Sequence, residues 1–183
     1  CVINAPPVIS FTLPLADAVQ AAATTKLEGT ITDDSGLLRE AFYKVGDGEW
    51  TPLGIEVEGT FSATIALPTA DGQPVVISVK ASDLDGLEGL GTRTVTVDRV
   101  APECAFVSPA ANAVLTGAST TVRVTASDGS GQLGEASLSL DDTTTLRQPL
   151  TDGAARFEVP LAMLDGAARR WTLQARDAAG NRC

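Results

Sequence analysis

The chain has 183 residues, of which 44% are hydrophobic, and no apolar run approaches the roughly 18 residues that would span a bilayer. Its 13 basic and 23 acidic residues give a net charge of −10, which argues against nucleic acid or anionic lipid as a partner. It contains no histidine, which excludes Ser-His-Asp and Cys-His catalytic sets and a histidine-bound zinc, so no catalytic residue is predicted.

The sequence contains two copies of one domain, with predicted boundaries at 1–99 and 100–183. The segment GTITDDSGLLREAFYKV, starting at Gly29, matches VTASDGSGQLGEASLSL, starting at Val124. Later matches are Phe61 with Phe157, Ala81 with Ala175 and Asp83 with Asp177. The first copy carries a net charge of −8 and the second a net charge of −2, so most of the excess acid lies in the first.

In both copies apolar and polar residues alternate with a period of two, and turn residues separate the alternating segments. The predicted inward positions of the first copy are Leu27, Gly29, Ile31, Ala41, Tyr43, Val45, Phe61, Ala63, Ile65, Leu67, Ile77 and Val79. Those of the second copy are Val122, Val124, Ala126, Ala136, Leu138, Leu140, Phe157, Val159, Leu161, Met163, Trp171 and Leu173. The segment 17–24 is predicted to be an irregular connection. About seven short strands per copy predict an all-β antiparallel sandwich.

The two copies differ at their ends. The first continues with the alternating segment Thr92–Asp98 (TRTVTVD), which is suited to be a last strand, whereas Cys183 aligns with Gly89, before that strand begins. The second sandwich therefore lacks its last strand as written, and an open sheet edge is expected. Three interpretations stay open: the strand follows in a longer chain, another subunit supplies it by strand complementation, or the sandwich closes with fewer strands.

The openings APPVISF and APECAFVSP, the turn VTASDGSG and the endings ASDLDG and ARDAAGN resemble those of bacterial immunoglobulin-like (Ig-like) domains of surface proteins and adhesins. The resemblance covers the whole chain and implies two tandem Ig-like β-sandwich domains. It implies a non-enzymatic structural or adhesive module of a bacterial exported or cell-surface protein, with neighbouring Ig-like domains or subunits as partners. Because the linker around Asp98, Arg99 and Val100 is short and Pro102 follows it, we expect a semi-rigid stalk.

The same resemblance leaves other functions open. One alternative is a subunit of an extracellular filament that assembles by strand complementation, and another is a carbohydrate-binding accessory module of a secreted enzyme. A host or cell-surface protein or a glycan is then the expected ligand. A filament subunit should polymerise, an accessory module should bind glycan, and a stalk should do neither.

The cysteines are interpreted in the light of this resemblance. In an Ig-like sandwich, the strand that carries Cys104 neighbours the strand that would start near Cys183, which implies a disulfide between them, and the alternative is two free thiols. Cys1 then has no partner. It resembles the lipidated first cysteine of a processed bacterial lipoprotein, and the alternatives are the boundary of an excised fragment or a disulfide to an upstream domain.

The turns at one end of each Ig-like domain are rich in carboxylates. These residues are Asp33, Asp34, Asp83 and Asp85 in the first copy, Asp128 and Asp177 in the second, and Asp98 in the linker. Oxygen ligands that converge from several loops suit Ca²⁺, and similar bacterial Ig-like arrays hold calcium between domains. The alternative is turn chemistry, in which each aspartate hydrogen-bonds its own backbone. Both interpretations stay open.

Trp50 is the candidate ligand-stacking residue. It follows the turn Gly46–Glu49, and together with Phe42 and Tyr43 it would present an aromatic platform for a sugar. In the alternative interpretation Trp50 caps the edge of the core and has no ligand. A change of Trp50 fluorescence on addition of glycans would favour the sugar interpretation.

Overall fold

The computed structural model describes residues 4–69, 71–129, 133–161, 166 and 168–183. The chain divides into two compact units, Cys1–Arg99 and Val100–Cys183. The regular structure of the described residues consists of strands and one short 3₁₀ turn, Val57–Gly59. Across these ranges, no helix has the length and the apolar character that crossing a membrane would require.

Within its described residues, unit 1 contains eight strands in two sheets. In chain order they are β1 (Val8–Leu13), β2 (Ala18–Gln20), β3 (Thr24–Thr32), β4 (Leu38–Val45), β5 (Thr51–Pro52), β6 (Thr60–Ala66), β7 (Gln73–Asp83) and β8 (Glu88–Val97). One sheet has the order β1-β3-β6 and the other β2-β8-β7-β4-β5. Neighbouring strands run antiparallel, except that β2 runs parallel to β8.

The sequence predicted that the segment 17–24, between β1 and β3, is irregular, and this prediction is wrong in part. Its residues Ala18–Gln20 form β2, which pairs with Val95–Val97 at the end of β8. Three residues are too few to display a strand period, so pairing with a neighbouring strand decides the conformation here.

The two sheets of unit 1 pack over one hydrophobic core. Leu27 on β3 and Ile77 on β7 are fully buried, and Phe61 on β6 is 2% exposed. Along β3 every second residue from Leu27 to Ile31 is buried, as the alternation predicted. Burial of each such large side chain contributes about 1.5–3 kcal/mol, so this alternating face holds the two sheets together.

Unit 2 repeats the arrangement with six strands among its described residues. They are β9 (Glu103–Ser108), β10 (Ser119–Ser127), β11 (Leu133–Leu140), β12 (Thr144–Pro149), β13 (Ala154–Pro160) and β14 (Trp171–Asp177). The sheets have the orders β13-β10-β9 and β12-β11-β14. Val122, Leu138 and Phe157 from both sheets meet in one core, so the two-sheet sandwich that the sequence predicts for each copy is confirmed.

Strand β14 lies at the edge of its sheet, and few described residues pair with the side that faces away from β11. In the described part of unit 2 no strand follows β14, which pairs with β11 on one side. On its other side Arg176 forms an isolated bridge with Arg182, and the Cys183 N–H donates to the Ala175 carbonyl at 3.3 Å. In unit 1, β7 pairs instead with the whole of β8.

Strand pairing tests the alignment of the two copies. Leu38 pairs with Asp83 in unit 1, and Leu133 pairs with Asp177 in unit 2, as the alignment requires. The two aspartates therefore occupy the same position of the fold.

The predicted match of Phe61 with Phe157 is wrong by two residues. Phe61 lies opposite Gly29, whereas the residue opposite Val124, which matches Gly29, is Ala155. The large ring of Phe61 fits at this position because its partner is a glycine, since a Cβ on Gly29 would lie 2.6 Å from Cζ of Phe61. Unit 1 pairs a glycine with a large ring, and unit 2 pairs a valine with a small residue.

Candidate functional site

Asp83 is a buried carboxylate at the end of β7, with 1% of its surface exposed. Its Oδ1 accepts a hydrogen bond from the Leu87 N–H at 2.8 Å, and its Oδ2 accepts one from the Asn4 amide at 2.9 Å. The same amide donates to Oδ2 of Asp85 at 3.0 Å. Burial raises the pKa of Asp83, but hydrogen bonds from Leu87, Asn4 and the turn N–H groups outweigh it, and the pKa lies below its ordinary value.

Asp177 makes the corresponding contacts in unit 2, where it is 4% exposed. Its Oδ1 accepts hydrogen bonds from the N–H groups of Gly180 at 2.6 Å and Asn181 at 2.8 Å. Its Oδ2 accepts the Asn181 side-chain amide at 2.8 Å. Asp83 and Asp177 thus each fix the turn that follows their own strand.

The turn after β3 is organised in a similar way. Oδ1 of Asp33 accepts hydrogen bonds from the Ser35 N–H at 2.9 Å and from the Ser35 hydroxyl. Asp34 is exposed. Within the described residues of unit 1, no three acidic side chains bring oxygen atoms within 4.8 Å of one another. Asp33 thus hydrogen-bonds its own turn, and calcium binding by Asp33, Asp34, Asp83 and Asp85 stays a prediction.

The remaining two aspartates lie at the end of their strands. Asp98 follows β8 and is 1% exposed, and its N–H donates to the Gln20 carbonyl at 3.0 Å. Asp128 follows β10 and is half-buried. Calcium binding by Asp98, by Asp128 and by the aspartates of the turns stays a prediction.

We predict that Asp83→Asn lowers the thermal stability of unit 1 at neutral pH and that the loss disappears in acid. A lowered folded-state pKa means that Asp83 contributes stability above its ordinary value of 3.8, and this contribution is lost as the pH falls through the folded-state pKa. Melting temperatures of both proteins between about pH 7 and pH 2.5 check this. Asp47→Asn at an exposed turn is the control, and a loss that stays constant with pH would contradict the prediction.

The structure contains a disulfide between Cys104 on β9 and Cys183, with Cα atoms 6.0 Å apart. Both cysteines are half-buried against the core of unit 2. The Cys183 N–H donates to the Ala175 carbonyl, and Gly89 pairs with Ala81 in unit 1. Cys183 therefore occupies the position of Gly89.

Cys1 lies outside the described residues. Its lipidation, and the alternatives of a fragment boundary or an upstream disulfide, stay predictions.

Trp50 lies on the outer face of the five-stranded sheet of unit 1. The ammonium of Lys80 is 5.0 Å from the centre of its ring, and that of Lys44 is 5.3 Å away. Lys80 also lies 5.4 Å from the ring centre of Phe42. Trp171, by contrast, packs against the core of unit 2. The structure thus places Trp50 beside two cations.

The sequence analysis missed both lysines. Lys44 follows Tyr43, an inward position, and Lys80 follows Val79, so the alternation already placed the two lysines on the outer face. The missing information was the pairing of β4 with β7, which brings Phe42 opposite Lys80. Residues that are 38 positions apart in the sequence meet only through this long-range pairing.

Comparison with known proteins agrees with this architecture. The Bacterial Ig domain family matches residues 102–173. Among curated proteins, none matches the sequence.

Three solved structures illustrate the likeness. A 1.5-MDa bacterial ice-binding adhesin is 16% identical, with 98% of this chain and 62% of that chain covered and a TM-score of 0.52. A tetra-tandem repeat from the extending region of a large adhesion protein is 15% identical, covering 98% and 47% with a TM-score of 0.42. The endo-β-1,4-mannanase of Thermotoga petrophila is 15% identical, covering 51% and 20% with a TM-score of 0.43.

The chain spans less than two thirds of each of these proteins. At these identities the likeness shows the fold. Of the three structures, the ice-binding adhesin carries the comparison, because its TM-score of 0.52 is above 0.5. The resemblance to bacterial Ig-like repeats and the Ig-like sandwich class are confirmed.

Proposed function

We propose that this chain, whose residues 102–173 belong to the bacterial Ig domain family, is a non-enzymatic module of a bacterial exported or cell-surface protein. Its role there is that of a semi-rigid stalk between neighbouring Ig-like domains of the same protein. The absence of histidine from the sequence supports a non-catalytic role. The likeness to the bacterial ice-binding adhesin supports a surface location for this chain.

The observation that carries the stalk proposal is the way in which the chain leaves unit 1 and enters unit 2. Arg99, the last residue of unit 1, donates from its guanidinium to the carbonyls of Ala21, Ala22 and Pro68 at 2.8–3.1 Å, and from its N–H to Asp71. The first residue of unit 2, Val100, accepts a hydrogen bond from the Asn181 amide of its own unit at 3.2 Å. Each end of the junction is tied to its own domain, which leaves no free linker residue.

Backbone ¹⁵N relaxation of residues 1–183 tests this proposal. We expect both units to report one common rotational correlation time, because a junction without free residues couples their tumbling. Insertion of a Gly-Gly-Ser-Gly-Gly segment after Arg99 should separate the two correlation times. The same insertion after Asp47, in the exposed turn before Trp50, is the control and should change neither.

Two independent correlation times in the unaltered chain would contradict the stalk. The same experiment in calcium and in chelator tests the metal prediction. If Asp98, Asp128 and Asp177 bind calcium, the chelator should separate the correlation times, and replacing Asp98 with asparagine should have the same effect without chelator.

The alternative of strand complementation is favoured by one observation, the outer edge of β14. On the side away from β11 its described partners are Asn181, Arg182 and Cys183, which lie opposite residues 175–177, so no strand among the described residues pairs with the outer edge of residues 171–174. If a second copy supplies a strand there, light scattering of the purified chain should reveal oligomers whose mass grows with concentration. A monomer over the whole concentration range would reject this alternative.

A further inference from the structure

The outer face of the five-stranded sheet in unit 1 carries a group of two aromatic rings and two lysines. We call these residues, Phe42, Lys44, Trp50 and Lys80, the aromatic–lysine face. Phe42 and Lys80 are paired across β4 and β7, and Lys44 lies two residues along β4. Trp50 directly precedes β5, which pairs with β4. Four side chains from three neighbouring segments therefore share one surface.

The lysines are held against the rings. Both ammonium groups lie within 5.3 Å of the Trp50 ring centre, and all four side chains are half-buried. Lys80 also reaches Glu88 at 3.7 Å, while no ion pair among the described residues of unit 1 involves Lys44. Cation–π contacts fix the positions of the charges over the ring and leave their outer sides to solvent.

Unit 2 shows that the fold does not require these residues. At the positions of Phe42 and Lys80 it has Ser137 and Gln174, which pair with each other in the same way. At the positions of Lys44 and Trp50 it has Ser139 and Thr145, whose hydroxyl groups are 3.0 Å apart. The same sheet is thus built with small polar residues in one copy and with rings and cations in the other.

The two lysines of the aromatic–lysine face stand out because unit 1 as a whole is strongly acidic. The unit has 14 acidic residues and only six basic ones, of which two meet on one indole ring. The guanidinium groups of Arg93 and Arg99 are directed to backbone carbonyls. A domain with an excess of acid therefore places two of its six positive charges beside the half-buried rings of Phe42 and Trp50.

We propose that the aromatic–lysine face binds an acidic polysaccharide. The aromatic surface of Trp50 and Phe42 that the lysines leave uncovered contacts the C–H side of a pyranose ring, and the two ammonium groups beside it pair with the carboxylates of the sugar acids. A neutral sugar supplies no counterion for the two ammonium groups, which favours the acidic class. The high charge density of a nucleic acid is disfavoured by the net charge of −10. This binding role goes beyond that of a stalk.

Fluorescence titration of residues 1–183 with Trp171→Phe tests the proposal, because Trp50 is then the one tryptophan in the chain. The probes are a galacturonate hexamer, maltohexaose as the neutral sugar of equal length, and polyglutamate as an acidic polymer without sugar rings. We expect the galacturonate hexamer to change Trp50 emission and to bind at least about tenfold more tightly than either other probe.

The lysines are tested with the residues that unit 2 carries at those positions. The variant Lys44→Ser with Lys80→Gln should weaken galacturonate binding at least about tenfold. Lys26→Ser, an exposed lysine on β3 in the opposite sheet, removes one charge and should leave binding unchanged. Calorimetry with Trp50→Thr should detect no binding.

Several results would overturn the proposal. They are no response to galacturonate, equal binding of maltohexaose, equal binding of polyglutamate, or full binding by the double lysine variant. Circular dichroism of each variant checks that the sandwich is intact. The stalk proposal is tested by the rotational correlation times of the two units. Failure of glycan binding leaves that test unaffected, so the two failures are distinguishable.

Discussion

Replacement of Cys104 and Cys183 with alanine lowers the free energy of unfolding of unit 2 by about 4 kcal/mol. The disulfide joins residues 79 positions apart, and opening so long a loop restores conformational entropy to the unfolded chain. Both side chains also pack against the core, so their truncation adds a packing loss in the same direction. Unit 1 contains neither cysteine, and we expect its stability to remain unchanged.

Urea unfolding monitored by fluorescence separates the two units, since Trp50 belongs to unit 1 and Trp171 to unit 2. Single-tryptophan variants of the full chain isolate each signal. Cys1→Ser is the control for the loss of a cysteine, and in the double-alanine variant it also removes the one remaining thiol, which could otherwise form a disulfide between two molecules. A shift of the Trp171 transition that corresponds to less than about 1 kcal/mol would contradict the entropic role of the disulfide.

Gly29→Ala should destabilise unit 1 by about 3 kcal/mol, although it adds a single methyl group. The added Cβ would lie 2.1 Å from the carbonyl oxygen of Ser10 and 2.6 Å from Cζ of Phe61. The first atom belongs to the backbone of β1, so relief of the clash requires β1 and β3 to separate. Overpacking of this kind typically costs about 1–3 kcal/mol, and the rigid backbone partner places this case at the upper end.

The Trp50 unfolding transition in urea measures the effect. The control is Gly54→Ala, because a Cβ on Gly54 has no atom within 4 Å. The double variant Gly29→Ala with Phe61→Ala should be destabilised by less than the sum of the two single changes, since the truncated ring removes one of the two clashes. A Gly29→Ala protein as stable as the Gly54→Ala protein would show that β1 moves away without cost.

The sequence determined the buried positions well because strand period and burial are directly coupled. Leu27, Ile31, Ile77 and Val79 lie in the core for this reason. The alignment of Phe61 with Phe157 failed because it matched residues of the same type. In the sheet, the size of a side chain is instead matched to the size of the residue opposite it on the neighbouring strand. Opposite Gly29 the ring fits, and opposite Val124 a small residue is needed.

The sites were less accessible from the sequence. The aspartates of the turns were recognised as a group, but turn bonds and metal ligation use the same carboxylates, and the bonds of Asp83 and Asp177 to their own turns became visible only in the structure. Trp50 was identified without its two lysines, because Lys80 reaches the indole through the pairing of β7 with β4. Local pattern does not contain such long-range pairings.

The bond between Cys104 and Cys183 has a mechanical consequence for a protein under tension. A pulling force that enters unit 2 at Val100 and leaves at Cys183 passes through the sulfur atoms, so the 79-residue interval is shielded from the load. Unit 1 has no such shortcut, and each of its residues adds roughly 3.4 Å of length when the sandwich is torn open. In a stretched array, the first domain is therefore an extensible element and the second a link of fixed length.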